Sequence, residues 1–168
     1  MHTLTTNLEA APTDSLTGGS RYLRPDAFTK KVFNPLVRWF TRRGISVRGS
    51  RVLEVPGRRS GELRTTPVNL LTLEGERYLV APRGETEWVR NVRVAGWCNL
   101  RLGRRAERVV PVELADEEKP DVLRSYLRQW KWEVGQFFDG VGPDADDEQL
   151  RSIAGGYPVF RITAAVDA

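Results

Sequence analysis

Glu54–Asn69 reads EVPGRRSGELRTTPVN: an apolar run stops at Pro56, the chain turns through Gly57 and Gly61 among three arginines, and a second run resumes past Pro67. That pattern predicts two strands joined by a cationic turn. The two glycines can take the positive backbone angles of a tight turn, and their bare α-carbons let a ligand approach main-chain N–H groups. Arg58, Arg59 and Arg64 surround those donors with fixed charge, and a guanidinium fork matches phosphate or carboxylate oxygens two at a time. Two readings of the turn stand on these residues alone, an anion cradle and a solvated hairpin loop. Neither GxGxxG nor GxxxxGK[ST] is present to choose between them.

Working outward, strands fit Arg51–Pro56, Arg64–Leu73 and Tyr78–Pro82, with Glu74-Gly75-Glu76 turning between the last two. After a break at Arg83-Gly84-Glu85, Trp88, Val92 and Ala95 recur at helical spacing and Gly96 is placed to end that helix. A further hairpin fits Cys98–Leu102 and Glu107–Leu114 around Gly103-Arg104-Arg105. Asp116 is placed to cap a helix whose stripe is Val122, Leu123, Tyr126, Leu127 and Trp130. An acidic loop at Asp144–Glu148 and a last strand at Val159–Thr163 follow. Upstream, Phe28, Val32, Leu36 and Phe40 recur every fourth residue opposite Lys30, Lys31, Arg38 and Arg42, which predicts an amphipathic helix from Pro25 to Arg43. It can cover a barrel, or lay its basic face on an anionic membrane surface as a weak contact through residues 27–42. Residues 1–20 carry no apolar period and read as a flexible leader, leaving 21–168 as one domain. Hairpin-linked strands with helices between them predict an α+β fold, a small antiparallel barrel with helical cover, and not a doubly wound sheet.

Composition narrows the chemistry. The chain has 168 residues, a net charge of +4 and one histidine, His2. With that histidine in the leader and one cysteine, Cys98, one chain is not expected to build a Ser–His–Asp triad, a Cys–His zinc site or an internal disulfide. Cys98 is expected in the core. If the chain is an enzyme, its chemistry is expected to belong to a cofactor or to carboxylates, and no metal site is expected. A pI near 9.6 favours anionic partners. Nucleic acid is disfavoured because the Arg-rich hairpins carry no aromatics on which bases could stack. No apolar run reaches the ~20 residues that cross a bilayer, and the N-terminus lacks signal-peptide blocks, so a cytoplasmic protein is expected.

In order, Val55–Pro67 (V-P-G-R-R-S-G-x-x-R-x-x-P), Val80–Gly84 (V-A-P-R-G) and Trp88–Asn91 (W-V-R-N) resemble the deazaflavin-dependent nitroreductase family. The resemblance covers about Arg51 to Leu114. It implies a split β-barrel that binds reduced coenzyme F-420, whose flat ring carries a phosphodiester and polyglutamate tail. Hydride transfer to a small electrophilic substrate, a quinone, nitro compound or activated enone, is the implied activity. By this resemblance Gly57, Arg58, Arg59, Ser60, Gly61 and Arg64 hold the anionic part, with Arg83 as a further positive contact. Pro67, Val68, Ala81 and Pro82 line the ring, and Trp88 with Asn91 closes the site. On residue type alone Trp88 is equally a core anchor, and Asn91 a helix-surface amide. Two departures stand out: the turn between Val80 and Trp88 is short, and a tyrosine-rich substrate segment is not reproduced. In its place Trp132, Phe137 and Phe138 form either a substrate wall or core packing. The other reading is a relative that binds FMN, haem or another flat ligand, or that works as a non-redox isomerase or cyclase. No catalytic acid or base is assigned, and a monomer or homodimer is expected.

Overall fold

A computed structural model describes residues 49–165. It runs β1 (Ser50–Pro56), β2 (Leu63–Leu73), β3 (Glu76–Val80), α1 (Glu87–Ala95), β4 (Cys98–Leu102), β5 (Arg105–Glu113), α2 (Pro120–Val134), α3 (Asp147–Ala154) and β6 (Val159–Ala164). These strands pair antiparallel and close into a barrel in the order β1-β2-β3-β6-β5-β4, which leaves none of them as a free edge. The architecture is the α+β antiparallel barrel that the sequence predicts. The leader over residues 1–20 and the amphipathic helix with its membrane contact over 27–42 lie outside the described residues.

Turn chemistry sets the registers. Glu74 and Gly75 both have positive φ, 51° and 83°, the geometry of a two-residue hairpin turn between the Leu73↔Glu76 pair. Gly103 and Arg104 form another two-residue turn, between Leu102 and Arg105, in which the glycine alone has positive φ, 58°. That turn needs only two residues, so β5 starts at Arg105 instead of the expected Glu107.

Period-two alternation then builds two cores. Leu53, Val55, Val68, Leu70, Leu79 and Phe160 point into the barrel, where α1 adds Trp88, Val89 and Val92. Cys98 is fully buried in the same interior, and burial pushes its thiol up to about 12. Leu71, Val80 and Val159, one position out of phase, meet the stripe of α2 and Leu150 and Ala154 of α3. Burying one such side chain is worth roughly 1.5–3 kcal/mol, so the outer face of β2, β3 and β6 holds the helical cover firmly.

Two local expectations are corrected. Asp116 does not cap α2; it opens a single 3-10 turn, Asp116–Glu118, and Pro120 starts the helix at its first turn, where its missing N–H costs nothing. The acidic stretch Asp144–Glu148 is not all loop. Asp146 accepts from the Gln149 N–H at 2.8 Å while Gln149 Oε1 accepts from the Asp146 N–H at 3.2 Å, a capping box that launches α3. The α2 stripe of Val122, Leu123, Tyr126, Leu127 and Trp130 is buried as expected, and Trp130, its last member, leaves helical geometry (φ −129°, ψ 20°). Its ring lies 4.9 Å from that of Tyr126, buried, while Trp132 beyond the break is 64% exposed.

Candidate functional site

The arginine turn has a defined shape. The Gly57 N–H donates to Glu62 O and the Gly61 N–H to Gly57 O, both at 2.8 Å, which folds Gly57–Glu62 tightly at the end of the β1–β2 hairpin. Gly61 has the positive φ expected of it, 70°, and nothing stands within 4 Å of where its Cβ would be. Gly57 is different: its φ is not positive, and the space around its α-carbon is tight. A Cβ at Gly57 would sit 3.0 Å from Ser60 Oγ and 3.5 Å from Arg64 Cγ, so the stem of Arg64 passes directly over it.

The three arginines have different surroundings. Arg59 and Arg64 are exposed, and Arg64 meets the Glu62 carboxylate only at 3.5 Å with its side chain 60% exposed. Arg58 turns toward α1. Its main-chain N–H and its Nη1 both donate to Asn91 Oδ1 at 3.1 Å, and Nη1 also donates to Glu87 Oε2 at 2.6 Å. Hydrogen bonding to Glu87 raises the Arg58 guanidinium further above its ordinary value and, reciprocally, holds the Glu87 carboxyl below its own. Asn91 is therefore buried and bridges hairpin to helix; it is not a surface amide.

The loop from β3 into α1 forms the adjoining wall. The Ala81 N–H donates to Pro158 O at 2.9 Å, and Gly84 turns at φ 73° with its α-carbon against Gly156: a Cβ there would stand 3.1 Å from the Gly156 carbonyl oxygen. Only glycine fits that approach. Thr86 occupies the cap position of α1, yet its hydroxyl makes no cap bond. Thr86 Oγ1 is enclosed and without a hydrogen-bond partner among the described residues. Pro82 is half-buried in this loop, and exposed Arg83 lies over the Phe137 ring at 4.9 Å.

Hairpin and α1 thus bring Gly57, Arg58, Arg59, Ser60, Gly61, Arg64 and Asn91 together at one end of β1 and β2. Other expected site residues fall elsewhere. Val68 and Ala81 are buried in the barrel core, whereas Pro67, one step along β2, faces the outer side opposite Val52. Trp88 is 7% exposed and packs on Phe160 with ring centroids 5.7 Å apart, the geometry of a core anchor. Trp132, Phe137 and Phe138 do not form one wall. Phe138 is fully buried and stacked on Tyr157 at 4.3 Å, Phe137 lies under Arg83, and Trp132 faces solvent.

Sequence reasoning missed Thr86, Glu87 and Arg90. The acid at the first position of a helix after an arginine turn was a usable signal, since carboxylates favour helix N-termini and arginines favour carboxylates. Among the described residues no group of three or more His, Cys, Asp or Glu side chains is placed to hold a metal ion, and no helix is long and apolar enough to cross a membrane. Chemically, the assembled end of the barrel is suited to holding an anion beside an enclosed hydroxyl.

Comparison with known proteins gives the following. The family model described as F420H(2)-dependent quinone reductase matches residues 36–135. No curated protein matches the chain. A solved structure described as a domain-swapped dimer is 16% identical, with a TM-score of 0.50 over 83% of this chain and 100% of that one. A structure described as an F420-H2 dependent reductase is 18% identical, with a TM-score of 0.49 over 69% of this chain and 95% of that one. A protein from Agrobacterium tumefaciens is 14% identical, with a TM-score of 0.49 over 70% of this chain; this chain spans about half of its length, 48%. At 16% identity the likeness to the domain-swapped dimer is one of fold.

Proposed function

The chain belongs to the F420H(2)-dependent quinone reductase family, and on that premise we propose that it reduces a small electrophilic substrate, a quinone, nitro compound or activated enone, with reduced coenzyme F-420. The observation that supports this reading best is the junction at Asn91. Its Oδ1 accepts from both the main chain and the guanidinium of Arg58, which makes the arginine hairpin and the start of α1 one cationic rim.

The residues fit the cofactor. Its tail is strongly anionic, and Arg59 and Arg64 stand exposed on a turn that is open above Gly61. Its ring has polar edges, and Thr86 Oγ1 is an enclosed hydroxyl without a partner among the described residues. Arg59, Ser60 and Arg64 would hold phosphate or carboxylate oxygens, Asn91 would fix the hairpin, and the Pro82–Thr86 loop would face the ring. When bound, the cofactor supplies the hydride. The protein's own part is to bind the tail, orient the ring against the substrate and narrow the access of water. Solvent can deliver the proton that completes reduction, so no dedicated acid is required.

The test is to mix the protein with reduced coenzyme F-420 and follow the deazaflavin absorbance with and without menadione or a nitroarene. Binding in both cases, with oxidation only when the acceptor is present, is expected. Failure to bind, with FMN or haem retained through purification instead, would overturn the reading.

A further inference from the structure

Glu87 opens α1 beside the arginine turn. Its carboxylate lies 2.6 Å from Arg58 Nη1 and 3.2 Å from Arg90 Nη1, so two guanidinium groups share one acid at the first position of α1. Glu87 is nonetheless 70% exposed, at the surface and not part of the packing. Arg58, the main cause, Arg90 and Arg59 all hold its carboxyl below the ordinary carboxylate range. Three arginines from two elements therefore act on one carboxylate.

The mechanical task of joining hairpin to helix is already performed by Asn91, which accepts two hydrogen bonds from Arg58. Glu87 adds a negative charge at the centre of a cationic rim. A carboxylate and a phosphate oxygen present the same acceptor geometry to a guanidinium fork, so both cannot fully occupy Arg58. We propose that Glu87 is an intramolecular competitor for this anion site: its carboxylate occupies Arg58 until the tail of the bound cofactor displaces it. The inference rests on the cofactor reading above. A competitor of this kind weakens every anion. A ligand with several charges can displace it from Arg58 while holding Arg59 and Arg64, whereas a singly charged ion gains too little, so Glu87 favours polyanionic tails over small anions.

The exposed ion pair is weak and screened, so its removal should shift affinity by a modest factor, about two- to fivefold. The experiment titrates the parent, Glu87→Gln and Glu87→Asp with coenzyme F-420 and with the same deazaflavin lacking its phosphate and glutamates, by fluorescence quenching. Glu87→Gln is expected to bind coenzyme F-420 about two- to fivefold more tightly, with affinity for the tail-less deazaflavin unchanged. Glu87→Asp keeps the charge with a shorter reach, and its affinity should fall between those two proteins. If the parent binds coenzyme F-420 and Glu87→Gln binds it equally or more weakly, Glu87 organises the site and the inference fails while the cofactor reading stands. If the tail-less form gains as much as the full cofactor, the competition is not for the tail, and the inference again fails alone. A parent that binds coenzyme F-420 in no condition overturns both.

Discussion

Asn91 carries more of this architecture than its residue type suggests. It is 5% exposed, and its single carbonyl oxygen accepts from the Arg58 main chain and side chain together. Asn91→Ala would leave the Arg58 N–H without its partner, at a cost of about 1–3 kcal/mol, and would release the hairpin from α1. The expected outcome is a lowered melting temperature of the free protein together with weaker cofactor binding, read by thermal melts and a deazaflavin titration. An unchanged melting temperature would show that the hairpin holds its position without Asn91. Little of this was legible in the sequence, since Arg58 and Asn91 are 33 residues apart and only the folded barrel sets one over the other. The roles of Pro67 and Val68 were more accessible. Adjacent residues of a strand face opposite ways, so the two could not both line one surface of β2.

The helix α1 is clamped at its other flank by Arg93, which donates to Glu85 at 2.6 Å and to Glu113 at 2.7 Å and so ties the β3–α1 loop, the helix and β5 together. Hydrogen bonding to Arg93 holds the Glu85 carboxyl below its ordinary value. The sign follows: a carboxyl depressed in the folded state contributes stability that is fully present above its unfolded value. That contribution is lost as pH falls through the lower folded value. Comparing melting temperatures of the parent and Glu85→Gln should show a difference that is constant near neutrality, starts to shrink below about pH 4 and is gone only below the lower folded value. A difference that persists in acid would mean the clamp acts through packing. At this scale the strands were legible because alternation and turn glycines agree, whereas α3 was hidden. Its start, Asp146-Asp147-Glu148, reads as a solvated acidic run until the reciprocal bonds between Asp146 and Gln149 are seen.

For the whole molecule, closing the barrel is what places the site. β1 pairs with β2 on one side and β4 on the other, and the β1–β4 seam carries Glu54, 2% exposed, against Arg101 Nε at 2.6 Å. Removing one partner of so enclosed a pair leaves the other unpaired, which makes this seam costly to open. With β1 held on both sides, its end at Pro56 projects the Gly57–Glu62 turn beside α1. Hairpin signals, a missing βαβ alternation and a stripe on α2 were enough to reach an antiparallel barrel from the sequence. The contacts that assemble its functional end are long-range and were not.

The central claim is that this end of the barrel holds the anionic tail of coenzyme F-420, and Arg64 tests it most directly. It is exposed and only loosely paired, so Arg64→Ala should leave the melting temperature of the free protein unchanged. A charge-assisted hydrogen bond is worth about 1.5–3 kcal/mol, which predicts a ten- to hundredfold rise in the dissociation constant for coenzyme F-420 and none for the deazaflavin without its tail. If Arg64→Ala folds normally and binds coenzyme F-420 as tightly as the parent, the tail lies elsewhere and the account is contradicted.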